Sequence, residues 1–158
     1  MMFDADASVN IDSINHLIRW MKDPSCGAVC GAQMLDNNNY SYRKRFNSIR
    51  KAESFYDSAT VFEGSLCAVK LEALKGRKLF DSINADDTQF ALIVKRNGYR
   101  AIFESRAIFV DQEPVNFRYS LKRNIRRSQG LVRVLWANKD LISFRNIFGR
   151  YYLSLIHI

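Results

Sequence analysis

Short apolar runs that read as strands alternate with segments of helical period along most of this 158-residue chain, and that alternation restricts its fold more than any other feature. Residues 1–3 read as the end of a buried strand. Ile11, Ile14, Leu17, Ile18 and Met21 recur at spacings of three and four, which predicts an amphipathic helix over 11–22 with Asn10 or Asp12 near its cap. The apolar run 27–34 reads as a strand and Asp36-Asn37-Asn38-Asn39 as a loop. Residues 46–62 are weakly helical through Phe46, Ile49, Phe55, Ala59 and Phe62. Gly64 opens a strand over 65–69, and a short helical turn follows at 71–74. A clear helix runs from Asp86 to Asn97, with acids in its first turn, Lys95 and Arg96 in its last turn and Gly98 just beyond. Residues 99–103 and 107–110 are strands, Glu113-Pro114 breaks the chain, and a long helix covers about 115–138. The pattern predicts an α/β layered domain with a mixed, mainly parallel sheet and flanking helices. In such sheets sites form at the carboxyl ends of strands, where Asp4 and Asp6 stand.

The length suits one domain with one core. A hydrophobic fraction of 47% with 13% aromatic residues argues against wholesale disorder. The net charge of +8 points to an anionic partner: nucleic acid, phospholipid or diphosphate. That charge is uneven. Acids outnumber bases over residues 1–36, whereas 118–150 carries many Lys and Arg against the single acid Asp140. A carboxylate site near the start and a basic surface near the end follow from that split. Cys26, Cys30 and Cys67 are an odd number without a disulfide framework and read as buried reduced thiols, as in a reducing cytoplasmic compartment. No signal peptide is visible, and no apolar run reaches the length of a membrane span. The opening reads as the interior of a longer domain, and Ser154-Leu155-Ile156-His157-Ile158 resembles a translated adapter sequence. The chain therefore divides into a fragment of a larger domain over 1–112, a basic amphipathic helical region over 113–150 and a tail over 151–158.

Four features could carry chemistry. Asp4-Ala5-Asp6 places two carboxylates one residue apart at a strand end, where both can reach one oxygen-liganded Mg²⁺ or Mn²⁺ that keeps positions open for diphosphate; a solvated turn has the same local sequence. Asp86-Asp87 fits either dipole-stabilising acids or a general base held at a helix end. Gly64-Ser65 lets a substrate approach the backbone closely, or simply begins a strand. On the long helix, Phe117, Leu121, Ile125, Ser128, Val132, Leu135 and Trp136 share one side, and Arg118, Lys122, Arg123, Arg126, Arg127 and Arg133 the opposite arc. That helix is either core-packed with a solvated basic face or seated on a membrane or other anionic surface. Nucleic acid is not expected, because no aromatic rings interleave the arginines as a stacking platform.

In order, Asp4-Ala5-Asp6, Gly64-Ser65-Leu66-Cys67-Ala68-Val69-Lys70, Ala85-Asp86-Asp87-Thr88, Asn97-Gly98-Tyr99-Arg100 and Arg123-Asn124-Ile125-Arg126-Arg127-Ser128-Gln129-Gly130 resemble glycosyltransferase family 2, most of all its membrane-attached branch that includes cellulose and hyaluronan synthases. The resemblance covers about 1–150 and implies the C-terminal half of a GT-A catalytic domain. It implies an inverting transfer from a nucleotide-sugar donor to a glycan or lipid-linked acceptor, on the cytoplasmic side of a membrane. By that resemblance Asp4 lies by the donor ribose and diphosphate, Asp6 binds the metal, Asp87 is the general base, and Arg126 lines the diphosphate side. Gly64, Ser65, Asp86 and Arg127 fall on the acceptor side. The family's Q-x-x-R-W motif has Arg123 in place of its Gln and Arg127 in place of its Trp. The other class compatible with the charge is a non-catalytic basic module that binds anionic lipid or nucleic acid.

Overall fold

One strand, Cys26–Gln33, is buried along its whole length and organises everything around it. The computed structural model describes residues 1–34, 40–80, 84–111, 117–143, 145 and 147–152. In chain order these form β1 (Met2–Phe3), β2 (Ser8–Val9), α1 (Ile11–Met21), β3 (Cys26–Gln33), α2 (Tyr40–Tyr56), β4 (Leu66–Val69), α3 (Leu71–Leu74), α4 (Asp86–Arg96), β5 (Arg100–Val110), α5 (Phe117–Ala137), a 3₁₀ turn at Lys139–Leu141 and α6 (Ile147–Tyr152). The five strands make one sheet in the order β1-β4-β3-β5-β2. The expected Asp36–Asn39 loop, the Glu113-Pro114 break and the tail from 153 onward lie outside the described residues.

Alternate residues of a strand point to opposite faces, and both faces of β3 are covered. Ala28, Cys30 and Ala32 meet Ala101 and Phe103 of β5, Ala73 of α3, and Ala91 and Val94 of α4. On the other face Val29 packs with Ile102 and Phe109 of β5, Leu66 of β4 and Leu17 of α1. Complete burial of Leu17 contributes about 2 kcal/mol. Asn10 caps α1 as expected, its side chain accepting from the Asp12 amide at 3.2 Å. Ser13 then ties the helix to β5, donating to the Ile108 carbonyl at 2.7 Å and accepting from the Ile108 amide at 2.9 Å.

The sheet is mixed, but its balance differs from the expectation. Only β3 and β5 run parallel; β1 with β4, β3 with β4 and β2 with β5 are antiparallel. The cause is the stretch after α2. The helix ends at Tyr56, not near 62, and the chain climbs back through a buried segment alongside β5 before β4 begins. There the Ala59 amide donates to the Ala101 carbonyl at 2.7 Å, and Glu53 accepts from the Thr60 amide at 3.0 Å. Because this extra passage returns the chain to the top of the sheet, β4 runs downward. The two strands expected over 99–110 are one, β5, interrupted in register between its pairings Cys30↔Phe103 and Ala32↔Ile108. The polar residues Glu104, Ser105 and Arg106 occupy the bulge, where Glu104 accepts from Trp20 Nε1 at 2.8 Å.

Two further differences matter. β1 is a short edge strand with Met2 and Phe3 exposed, not the end of a buried one. Tyr151 and Tyr152, at the head of the expected tail, belong to α6. Tyr152 packs with Val61, Leu92, Val134 and Phe148 in a third apolar cluster. Among the described residues no helix is long and apolar enough to cross a membrane.

Candidate active site

Asp4 leaves β1 directly opposite the start of β4, since Phe3 pairs with Leu66. Ser65 Oγ therefore donates to Asp4 Oδ2 at 2.8 Å, and the Asp4 amide donates to the Ser65 carbonyl at 3.4 Å. The Ala7 amide closes a turn on the Asp4 carbonyl at 3.1 Å, which leaves both Asp4 and Asp6 exposed.

Asp87 enters from the opposite side, in the first turn of α4. Its Oδ1 accepts from the Thr88 amide at 2.7 Å. Its carboxyl lies against Gly64, where an added Cβ would sit 3.3 Å from Oδ2. Burial pushes the Asp87 carboxyl up to about 6; the Thr88 and Gly64 amides and Arg127 oppose the rise, and Glu63 adds to it. Asp86, one residue earlier, is exposed. Two neighbouring acids thus occupy different environments: Asp87 is sheltered and Asp86 stands in solvent.

The entrance to α4 is shaped by Ala85, which adopts the left-handed region at φ 87°, a cost of about 1 kcal/mol for a residue with a Cβ. Just before it, the Asn84 carbonyl presses on α5 at Gly130, where an added Cβ would lie 2.5 Å from that oxygen. Only glycine permits this approach. With Val134 buried and Gly130 in contact, the residues one and two turns earlier, Arg127 and Arg123, share the inward arc of α5. Arg127 accordingly acts on both Asp87 and Asp111, and Arg123 acts on Asp111.

This divides a set of cations that the sequence placed on one arc. Arg126 sits about 100° round the helix from Arg127; both are exposed, as are Arg118, Lys122 and Arg133, and Arg123 is half-buried. The apolar side of α5 is turned outward, not into the core: Leu121, Ile125, Val132 and Trp136 are 48%, 50%, 64% and 74% exposed.

Asp111, at the end of β5, escaped the sequence reading although it follows a strand just as Asp4 does. Its carboxyl is raised by burial and by nearby Asp6, with Arg127 and Arg123 opposing. Among the described residues no three acids, cysteines or histidines converge into a complete metal-binding set. The pair Asp4 and Asp6 nonetheless fits Mg²⁺ or Mn²⁺, which take one or two carboxylates when diphosphate oxygens fill the remaining positions. Cys67 lies beneath the site and is buried, as are Cys26 and Cys30; burial pushes each thiol up to about 12, so none is a nucleophile at neutral pH.

The sequence profile of glycosyl transferase family group 2 matches residues 1–157. The chain belongs to that family. Among solved structures, this glycosyltransferase chain is similar to the mannosyltransferase PcManGT from Pyrobaculum calidifontis in complex with GDP-Man and Mn²⁺, at 31% identity and a TM-score of 0.74. The likeness covers 88% of this chain and 38% of that one, so the glycosyltransferase chain spans well under half of its neighbour's length. A comparison with curated protein sequences finds no match. The GT-A architecture expected from the motif order is therefore present as a partial fold. Around its site the structure joins Asp4 to Ser65 and packs Asp87 on Gly64, sets Arg127 within electrostatic reach of Asp87, and leaves Asp86 and Arg126 exposed.

Proposed function

We propose that this chain is the acceptor-side half of a metal-dependent, inverting glycosyltransferase that moves a sugar from a nucleoside-diphosphate donor to a hydroxyl of a glycan or lipid-linked acceptor. The observation that carries this is Asp87: a sheltered carboxyl, raised to about 6, set against Gly64 and within the field of Arg127. Above that pH it is ionised and takes the proton of the acceptor hydroxyl as the new bond to the anomeric carbon forms and the bond to the diphosphate breaks, a contribution of about 10²–10⁴-fold. Ser65 orients Asp4 toward the donor side. Arg127 and Arg123 face the acidic cluster and would hold the diphosphate, the place the motif order assigned to Arg126. Asp6 with Asp4 would hold Mg²⁺ or Mn²⁺, which would supply Lewis-acid stabilisation of the leaving diphosphate. The likeness to PcManGT makes GDP-mannose with Mn²⁺ the first donor and metal to test.

In the full-length protein, Asp87→Asn should lower sugar transfer at least about 100-fold and leave binding of GDP-mannose with Mn²⁺ within about twofold. Transfer that stays near the parent rate would sink the assignment and favour a non-catalytic basic module.

The outward apolar stripe of α5 supports a second element: this half rests on an anionic membrane surface. Leu121, Ile125, Val132 and Trp136 supply area to bury, and the exposed cations Arg118, Lys122, Arg126 and Arg133 flank them.

A further inference from the structure

Close to Asp87 stands a carboxylate that no part of the mechanism above uses. Glu63 immediately precedes Gly64, the residue on which Asp87 packs. Its Oε1 accepts from Arg43 Nη1 at 3.2 Å and pairs with Arg50 Nη2 at 3.3 Å. Both cations come from α2. Arg50 is 1% exposed and lies between the rings of Phe46 and Phe103, its guanidinium carbon 4.3 and 4.2 Å from their centroids. Its Nε and Nη1 are buried without a hydrogen-bond partner. An arginine fixed this tightly leaves Glu63 little freedom, and the segment leading to Glu63 is itself pinned by Glu53, Thr60 and Ala101. Packing the core would not require a carboxylate at this place. A neutral residue would spare the cost of sinking a guanidinium and a carboxylate together out of water.

We infer that Glu63 is a positioning residue for Asp87: anchored by Arg43 and Arg50, it fixes the Gly64 segment against the Asp87 carboxyl and sets the charge that carboxyl faces. The inference rests on Asp87 being the base of the proposed transfer. The charged and titratable groups around Asp87 are Glu63 on the segment before β4, Arg127 on α5, the Cys67 thiol on β4 and Asp86 on its own helix. Glu63 makes the proton harder to lose and Arg127 makes it easier. The pair therefore sets the pH above which Asp87 can accept a proton, and the two arginines of α2 govern how strongly Glu63 acts.

The test is a carbon-13 NMR titration of the Asp87 carboxyl in the full-length protein, the resonance assigned by its loss in Asp87→Asn. It is repeated in Glu63→Gln and in Arg43→Gln. Glu63→Gln should lower the midpoint by up to about one unit, the low end of what one close charge does. Arg43→Gln, which uncovers the Glu63 charge, should raise it. Variants that merely loosened the segment would admit water and lower both midpoints. An unmoved midpoint in Glu63→Gln, or a fall in both variants, overturns the inference. If Glu63→Gln does not fold because Arg50 is left unpaired, Arg43→Gln decides alone: a rise supports the inference, and no change or a fall overturns it. The fate of the base assignment is read separately, from sugar transfer by Asp87→Asn.

Discussion

At the scale of single residues, the candidate base weakens the fold that holds it. Burial lifts the Asp87 carboxyl from the ordinary aspartate value to about 6, so the folded state prefers the protonated form. Below the unfolded value near 3.8 the group is neutral in both states and costs nothing; the cost of the sheltered charge builds up between there and about 6, above which it is about 3 kcal/mol. Asp87→Asn should therefore raise the melting temperature of the full-length protein at pH 7.5 and leave it unchanged near pH 3, measured by calorimetry at both. Equal gains at the two pH values would show that the benefit is packing and not charge. What the sequence disclosed here was identity without environment. Asp86 and Asp87 are chemically alike and adjacent, and nothing local says which is covered; that depends on Gly64, twenty-three positions away, and on an arginine in another helix. Asp111 was missed for the same reason, since its partners Asp6, Arg123 and Arg127 come from both ends of the chain.

At the scale of elements, periodicity located most helices and strands to within a few residues, because α1 and α4 each show one buried face and β3 is a continuous apolar run buried on both. It left the orientation of α5 open. That helix has two apolar sides, one with Leu131, Val134 and Leu135 against the third cluster and one with Leu121, Ile125, Val132 and Trp136 outside. The richer stripe is the exposed one, so counting apolar residues alone could not say which side meets the core. The stripe yields its own expectation. Ile125→Glu combined with Val132→Glu should weaken binding of the full-length protein to phosphatidylserine vesicles at least about tenfold, without lowering its melting temperature. Salt should weaken binding too, as the screening length falls to about 3 Å at 1 M. Vesicle co-sedimentation that ignores both changes would return α5 to an ordinary solvated surface. The same helix must also hold Arg127 in place, and the contact of Gly130 with the Asn84 carbonyl is where it does so.

At the scale of the whole molecule, the fold class was readable from motif order and from the alternation of elements, whereas strand direction was not. The direction of β4 depends on the buried passage between α2 and Gly64, whose Ala59 and Phe62 continue the apolar spacing of a helix face and were read as one. One margin of the sheet remains open: β1 is two residues long, and Met1, Met2, Phe3, Ile11 and Ile18 are exposed around it. Residues 1–158 produced alone should self-associate through this margin, and Phe3→Lys should reduce that association in light scattering. A monodisperse parent chain would contradict the expectation. The opposite property belongs to the middle of the sheet. Cys30 and Cys67 face each other across β3 and β4, and Cys26 begins the same central strand, all closed to solvent. An alkylating reagent can reach them only when that region parts, so the rate at which mass is added to the native protein is a clock for its rarest opening, wound by the sheet itself and legible without any label.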